Sequence, residues 1–210
     1  MLFQIQTLTP GPGTPGPGMS AGSLAAQLRG DTTSDAVALL LGCHARIRHF
    51  TQLAVRLAQP DASAELIPEA AAGVHRYYSQ ALPLHEADEN DSVYPRLAAA
   101  MHAAAPGEAA LAAANQAMVE QHRVLNQLIA QLVPEWQAMQ AHPETAVATA
   151  KQAAQLEQAW EQHLALEESV IFPALERYLS LEDRTAIRLE MVERRKLASN
   201  RPAVLTPRSS

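Results

Sequence analysis

HEADENDSVYPRL at residues 85–97 and HLALEESVIFPAL at residues 163–175 are two copies of one pattern in this chain. Each copy begins with His, has Glu four residues later, Pro six residues after the Glu, and Leu two residues after the Pro. We call the interval from His85 to His163 the repeat offset. His44 and His122 are separated by the same interval. His44 and His85 are therefore as far apart in the chain as His122 and His163, and two structurally related halves are expected.

The composition predicts an all-α protein. The chain has 210 residues, which is within the range of a single domain, and it is 48% hydrophobic but only 4% aromatic. Ala, Leu and Gln are abundant and favour helices, whereas runs of Val, Ile, Thr and Tyr that would indicate strands are lacking. Two halves of two helices each predict an antiparallel up-down four-helix bundle.

Charge and cysteine content exclude several classes of function. The net charge is −6, so a basic surface is not expected. The sequence therefore does not indicate a nucleic-acid or anionic-membrane partner. The single cysteine, Cys43, excludes an intramolecular disulfide and a cysteine-based zinc site. No apolar run reaches the roughly 20 residues of a membrane span, and the N-terminus is a poor signal peptide, so the cytoplasm is expected. The sequence shows neither a nucleophile–base pair nor a phosphate loop, so it does not indicate hydrolytic or group-transfer chemistry.

The chain is expected to divide into three parts. PGPGTPGPG at residues 10–18 cannot form a helix, so residues 1–33 are predicted to be a disordered arm rich in Pro and Gly. Residues 34–179 form the bundle, and residues 180–210 form a short extra helix and a flexible tail. The four long helices are predicted over residues 34–58, 64–102, 108–139 and 143–179. Ser34 is the expected N-cap of the first, SLED at 180–183 resembles a capping box, and Pro83 and Pro95 predict a kink, a loosened turn or a break.

Six polar residues fall on the apolar stripes of these helices and are the candidate metal ligands: His44, His85, Glu89, His122, His163 and Glu167. A His and a Glu four residues apart share one helix face, with Cβ atoms about 6 Å apart. A buried carboxylate without a partner is costly, and a pair of metal ions would satisfy all six groups. Imidazole and carboxylate without thiolate favour iron or manganese, with zinc as a further candidate. Two bridging carboxylates, two His per metal and a bridging oxygen species would give each metal about five ligands and an open position.

These residues resemble the hemerythrin HHE cation-binding family over about residues 34–179. The resemblance is carried by CHARI around His44, ALPLHEADE around His85 and EESVIFPAL after His163. It implies a four-helix bundle with a non-haem di-iron centre, in which the four His are terminal ligands and Glu89 and Glu167 are bridging carboxylates.

The resemblance includes one departure. Oxygen-carrying hemerythrins have a fifth His on the third helix, whereas Met118 and Asn126 stand one turn either side of His122 here. The four-His, two-Glu set is more similar to the branch with iron-centre repair proteins and gas- or iron-sensing domains. The implied function is binding or sensing of O2 or NO, or handling of iron under oxidative or nitrosative stress. The alternatives are repair of iron–sulfur centres and a metal-free helical interaction module. A ferritin-like oxidase would need Glu-x-x-His, which the sequence lacks.

The remaining polar residues are assigned structural roles. Surface or capping positions are expected for His49, His75, His102 and His142, and solvated positions for most of Glu86, Asp88 and Glu168. Cys43 is expected to be a small buried hydrophobic residue, and Tyr78 to pack in the core rather than to support a ligand. The last helix, with Arg184, Arg188, Arg194, Arg195 and Lys196, is expected to be a solvated cap, with a surface for an unknown protein partner as the alternative.

Overall fold

A computed structural model describes residues 35–103 and 109–200, and within these ranges the chain forms five helices and no strand. Helix α1 is Ala36–Leu57, α2 spans 67–103, α3 is Ala109–Ala138, α4 spans 143–178, and α5 is Leu181–Ser199. The all-α bundle with an extra C-terminal helix is confirmed, whereas the predicted arm over 1–33 lies outside the described residues. None of these helices has the length and apolar character that a membrane crossing needs.

Two hydrophobic clusters show that the helices of the bundle run antiparallel. We call the cluster around Trp136 and Trp160 the Trp core, and the cluster around Val93 and Phe172 the Phe172 core. Helices α1 and α3 contribute first to the Phe172 core and then to the Trp core, whereas α2 and α4 contribute in the opposite order. Successive helices therefore alternate in direction, and α1 packs against both α2 and α4. Helix α5 adds Ile187 and Met191 to the Phe172 core.

Side-chain caps define the starts of α1 and α5. The N-cap of α1 is Asp35, whose carboxylate accepts a hydrogen bond of 2.6 Å from the Ala36 amide; the expected Ser34 lies just outside the described residues. The predicted capping box at α5 is confirmed, because Ser180 accepts from the Asp183 amide and the Asp183 carboxylate accepts from the Ser180 amide. Such caps satisfy amide groups that have no partner within the helix.

Helix α2 stays continuous past its prolines because it widens locally. Its α-helical segments Ile67–Arg76, Leu82–Ala87 and Tyr94–Ala103 are joined by π-helical turns at Tyr77–Ala81 and Asp88–Val93. In each turn the last amide before the proline, that of Leu82 or Tyr94, donates to the carbonyl five residues back. The widening makes room for the proline ring, which would otherwise meet the carbonyl four residues earlier. Of the three predicted outcomes, the loosened turn is therefore the observed one.

Helix α4 also widens locally before a proline. This helix begins as a 3-10 helix at Pro143–Thr149, continues as α-helix over Ala150–Leu166, widens into a π turn at Glu167–Ile171, and ends with Phe172–Tyr178. The π turn again precedes a proline, Pro173. Proline alone does not require this geometry, because Pro134 lies inside α3 without a π turn. The two corresponding π turns contain Glu89 and Glu167, and they place these side chains in the middle of the bundle.

Candidate metal centre

The six predicted ligands lie together in a buried polar layer between the Trp core and the Phe172 core. None of them is more than 4% exposed. They come from all four helices of the bundle: His44 from α1, His85 and Glu89 from α2, His122 from α3, and His163 and Glu167 from α4. Two groups of ligand atoms each lie within 4.8 Å of one another, one formed by His44, His85, Glu89 and Glu167 and the other by Glu89, His122 and His163.

Each carboxylate lies between a histidine of the first half and a histidine of the second. Glu89 places Oε1 2.9 Å from Nε2 of His85 and Oε2 3.2 Å from Nε2 of His122. Glu167 places Oε2 3.1 Å from Nε2 of His44 and 3.3 Å from Nε2 of His163. Glu89 thus turns one oxygen to each half of the bundle, whereas Glu167 turns the same oxygen to a histidine of each half.

Several atoms that face the centre of this layer are buried and have no hydrogen-bond partner. They are Nε2 of His44 and of His85, both carboxylate oxygens of Glu89, and Oε2 of Glu167. The distances between them are short, but the angles are not those of hydrogen bonds. Buried polar atoms are nearly always satisfied, because an unpaired one costs free energy. A metal ion would satisfy these nitrogen and oxygen atoms, so the residues present fit a metal centre.

The outer nitrogens of three of these histidines are held by other side chains, whereas the buried Nδ1 of His85 has no hydrogen-bond partner. Nδ1 of His44 is 2.8 Å from Oε1 of Glu168, and Nδ1 of His163 is 3.0 Å from Oε1 of Gln121. Nδ1 of His122 is 3.3 Å from Oδ1 of Asn90. Metal-binding histidines generally donate their second ring N–H to such an acceptor, which fixes the ring orientation and the tautomer. These contacts leave Nε2 as the nitrogen that faces the layer.

Electrostatic coupling keeps both carboxylates ionised. Burial alone would raise the pKa of Glu89 and Glu167, but the histidines on either side of each carboxylate hold its pKa below the usual range, and well below it for Glu167. Burial would lower the pKa of His85, yet the charge of Glu89 raises it well above its ordinary value. Ionised carboxylates are the form that binds cations.

Tyr94 contacts the layer and was missed by the sequence interpretation, which considered Tyr78 instead. The Tyr94 hydroxyl donates to Oε1 of Glu167 at 2.5 Å. Burial and the charges of Glu89 and Glu167 raise the pKa of this phenol, so it stays protonated as a donor. Tyr78 pairs instead with the Thr51 hydroxyl at 2.7 Å, in the Trp core, as the core-packing interpretation requires.

Asp88 is not solvated as the sequence interpretation expected. It is fully buried, one residue before Glu89, and its Oδ2 lies 2.6 Å from the Arg195 guanidinium. Arg194 donates to the other oxygen of Asp88 at 2.9 Å. Arg195 is only 1% exposed, so the expectation of a solvated last helix is wrong for the side of α5 that faces α2. A buried carboxylate attracts a cation from another helix because it cannot remain unpaired.

Glu168 and Glu86 are also partly withdrawn from solvent. Glu168 pairs with His44 and accepts two hydrogen bonds from Arg48, at 2.8 and 2.9 Å. Burial raises the pKa of Glu86, which lies next to His85 in the chain. The expectation that most of Glu86, Asp88 and Glu168 are solvated is therefore met only in part.

The other histidines and Cys43 are not part of the polar layer. His49, His102 and His142 are exposed, and His75 is half-buried. Cys43 is buried as expected, but it is not an isolated hydrophobic residue. Burial would raise the pKa of its thiol, yet the interaction with His85 and the charges of Arg46 and Arg195 lower the pKa to about 6.

Comparison with known proteins gives one match. Residues 35–175 match the family model described as "Hemerythrin HHE cation binding domain". The matched range covers two thirds of the chain, from the start of α1 into α4, and it includes all six residues of the polar layer. Neither the curated proteins nor the solved structures gave a match.

Proposed function

Because the chain belongs to the hemerythrin HHE cation-binding domain family, we propose that its buried polar layer holds two iron ions. In this proposal His44 and His85 bind one ion and His122 and His163 bind the other. Glu89 and Glu167 bridge the two. The observation that carries the proposal is the set of inward-facing, buried nitrogen and oxygen atoms of these residues that have no hydrogen-bond partner.

The kind of donor atom is compatible with iron. Imidazole nitrogen and carboxylate oxygen suit iron, manganese and zinc, whereas sites rich in thiolate select other metals or clusters. Two histidines and two shared carboxylates do not complete an octahedral set around either ion. Met118 and Asn126, one turn either side of His122, do not add a histidine to it. Each ion would therefore keep an open coordination position for a small molecule.

We propose that the protein binds or senses O2 or NO, or holds iron under oxidative or nitrosative stress, in the cytoplasm. When bound, a pair of irons supplies reversible binding of a diatomic gas and one-electron chemistry. The chain's own residues supply a dry and fixed environment. The Phe172 ring stacks on His44 at 5.0 Å between centroids, and the Tyr94 hydroxyl holds Glu167 in place. The ligand layer is closed above and below by apolar clusters, which exclude water.

The first experiment is elemental analysis of protein purified without oxygen and without added metal. We expect close to two irons per chain in the wild type and a large loss in the double variant Glu89→Gln/Glu167→Gln. Glu120→Gln is the matched control, because Glu120 is exposed and pairs with the neighbouring Arg123 on α3. Little iron in the wild type, with no recovery after ferrous salt is added, would overturn the proposal and favour a metal-free helical module.

A second measurement separates gas binding from iron holding. The iron-loaded protein is exposed to O2 and, separately, to NO, and its visible absorption spectrum is recorded. A reproducible new band that disappears when the gas is removed supports binding or sensing. An unchanged spectrum with both gases, at two irons per chain, would contradict the gas-binding part of the proposal.

A further inference from the structure

The repeat offset relates the two halves of the chain not only in their ligands but also in the side chains behind the ligands. The partner of His44 is Glu168, and the partner of the corresponding His122 is Asn90. Glu168 and Asn90 are themselves separated by the repeat offset, since each directly follows the bridging Glu of its half. The structure thus repeats the contact in both halves but places a carboxylate in one and an amide in the other.

These two contacts differ in length and in charge. The Glu168 carboxylate accepts from His44 Nδ1 at 2.8 Å, whereas the Asn90 amide oxygen is 3.3 Å from His122 Nδ1. Glu168 is fixed by two hydrogen bonds from Arg48, whose side chain is 43% exposed. Water therefore screens part of the Arg48 charge. The contact between Glu168 and Nδ1 of His44 is less screened, because His44 is fully buried.

The other two ligand histidines also differ in their outer contact. Gln121 accepts from Nδ1 of His163, whereas Nδ1 of the corresponding His85 is buried and has no hydrogen-bond partner. Both partners of the second-half histidines, Asn90 and Gln121, are therefore neutral amides. The partner of His44 in the first half, Glu168, is instead a carboxylate that Arg48 holds.

From this difference we infer that the two metal positions are inequivalent, and that the His44–His85 position binds its ion more tightly than the His122–His163 position. The inference rests on the proposed function and specifies how its site works. A carboxylate that accepts the outer N–H of an imidazole makes the inner nitrogen a stronger donor, and its charge also attracts the cation. An amide oxygen offers only a dipole. Side chains in this outer position commonly change metal affinity by about 10- to 100-fold.

The test is an anaerobic titration of the metal-free full chain with ferrous iron in competition with a chromogenic chelator. We expect two binding steps in the wild type that differ in affinity by about tenfold or more. Glu168→Gln should weaken the tighter step by about 10- to 100-fold and leave the weaker step in place. Asn90→Asp, at an exposed position that tolerates a charge, should strengthen the weaker step.

Two further variants assign the steps to positions. His122→Ala should retain the tighter step, and His44→Ala should remove it. Glu120→Gln is again the control for loss of a carboxylate elsewhere, and thermal unfolding followed by circular dichroism verifies that each variant is folded. Two equal steps in the wild type, or a Glu168→Gln variant with both steps unchanged, would overturn the inference while the proposed di-iron site stands. Absence of any iron binding in the wild type would instead overturn the proposed function.

Discussion

The Tyr94 hydroxyl donates a hydrogen bond of 2.5 Å to Oε1 of Glu167, across the middle of the bundle from α2 to α4. The counterpart of Tyr94 in the second half, Phe172, has no hydroxyl and stacks on His44 instead. Glu89 consequently has no such donor, and both of its oxygens lack a hydrogen-bond partner. One carboxylate of the layer is thus held through one oxygen by a hydroxyl, whereas the other has only the two neighbouring histidines beside it.

Replacement of Tyr94 by Phe should loosen the site without unfolding the bundle. Without the donor, Oε1 of buried Glu167 is left unpaired, which costs about 1–3 kcal/mol in the metal-free protein. The loss of a group that orients a ligand should also weaken iron retention by about tenfold or more. The bundle should accept the change because Phe already occupies the corresponding place in the other half. Urea unfolding of the metal-free form and chelator competition of the iron-loaded form measure the two effects.

Tyr78→Phe is the matched control for this prediction. Its hydroxyl pairs with Thr51 in the Trp core, whereas that of Tyr94 donates to a carboxylate of the polar layer. We expect this variant to lose some stability and to retain iron as the wild type does. If both tyrosine variants lowered iron affinity equally, the effect would come from general loosening of the bundle rather than from the bond to Glu167.

The buried pair of Asp88 and Arg195 should be essential for the docking of α5. Asp88→Asn leaves the Arg195 guanidinium buried without its ionic partner, and Arg195→Ala removes one of the two cations that hold Asp88. Breaking one partner of a buried ion pair costs about 3–5 kcal/mol, so either change should lower the free energy of unfolding by about that amount. Urea unfolding provides the measurement.

A double variant provides the control for the Asp88 prediction. The counterpart of Asp88 in the second half is Leu166, so that half forms its π turn with an apolar residue at this place. Asp88→Leu/Arg195→Met should therefore recover part of the stability that either single change loses. Loss of the exposed pair between Glu120 and Arg123 should leave the free energy of unfolding almost unchanged, because solvent screens it. Equal costs for the buried and the exposed pair would contradict the role assigned to Asp88.

The sequence predicted the helices and the convergence of the six polar residues because both follow from periodicity. Apolar residues at three- and four-residue spacing place His44 and His122 on the buried faces of their helices, and the repeat offset relates one half to the other. The same offset also connects Glu168 with Asn90 and Cys43 with Gln121. These residues stand directly beside the ligands in the chain, so the repeat offset also predicts that they occupy corresponding places in the two halves.

Other features depend on geometry that a regular helix does not have. Tyr94 follows Glu89 by five residues, which on an α-helix lies off the face of Glu89; the π turn brings both towards the layer. The pairing of Asp88 with Arg195 joins residues that are far apart in the chain, and no periodic pattern connects them. Charge at Asp88 and on the last helix therefore suggested solvent exposure, and only packing shows that these charges neutralise each other.

Cys43 should report the docking of α5 because it is the only cysteine of the chain. It is 4% exposed, and the Arg195 guanidinium lies 3.8 Å from its sulfur. We expect a thiol reagent to label native protein slowly, and Arg195→Ala to increase the rate by about tenfold or more, since a loss of about 1.4 kcal/mol in local stability raises the open population tenfold. Arg123→Ala, which is exposed on α3, should leave the rate unchanged. Rapid labelling of the wild type would contradict the close packing of α5 over Cys43.

Bound metal should stabilise the bundle, and the gain should depend on the two carboxylates of the layer. An ion that binds only the folded state adds about 2.7 kcal/mol at a free concentration about 100 times its Kd. Anaerobic addition of ferrous iron should therefore raise the Tm of the wild type and of Glu120→Gln. Glu89→Gln/Glu167→Gln should show little increase, because amides are poor ligands for a cation that these ionised groups would otherwise bind. No such increase is expected from another place, because no other group of His and carboxylate atoms in the described residues meets the same geometry. A rise in the double variant equal to that of the wild type would place the stabilising ion outside this layer.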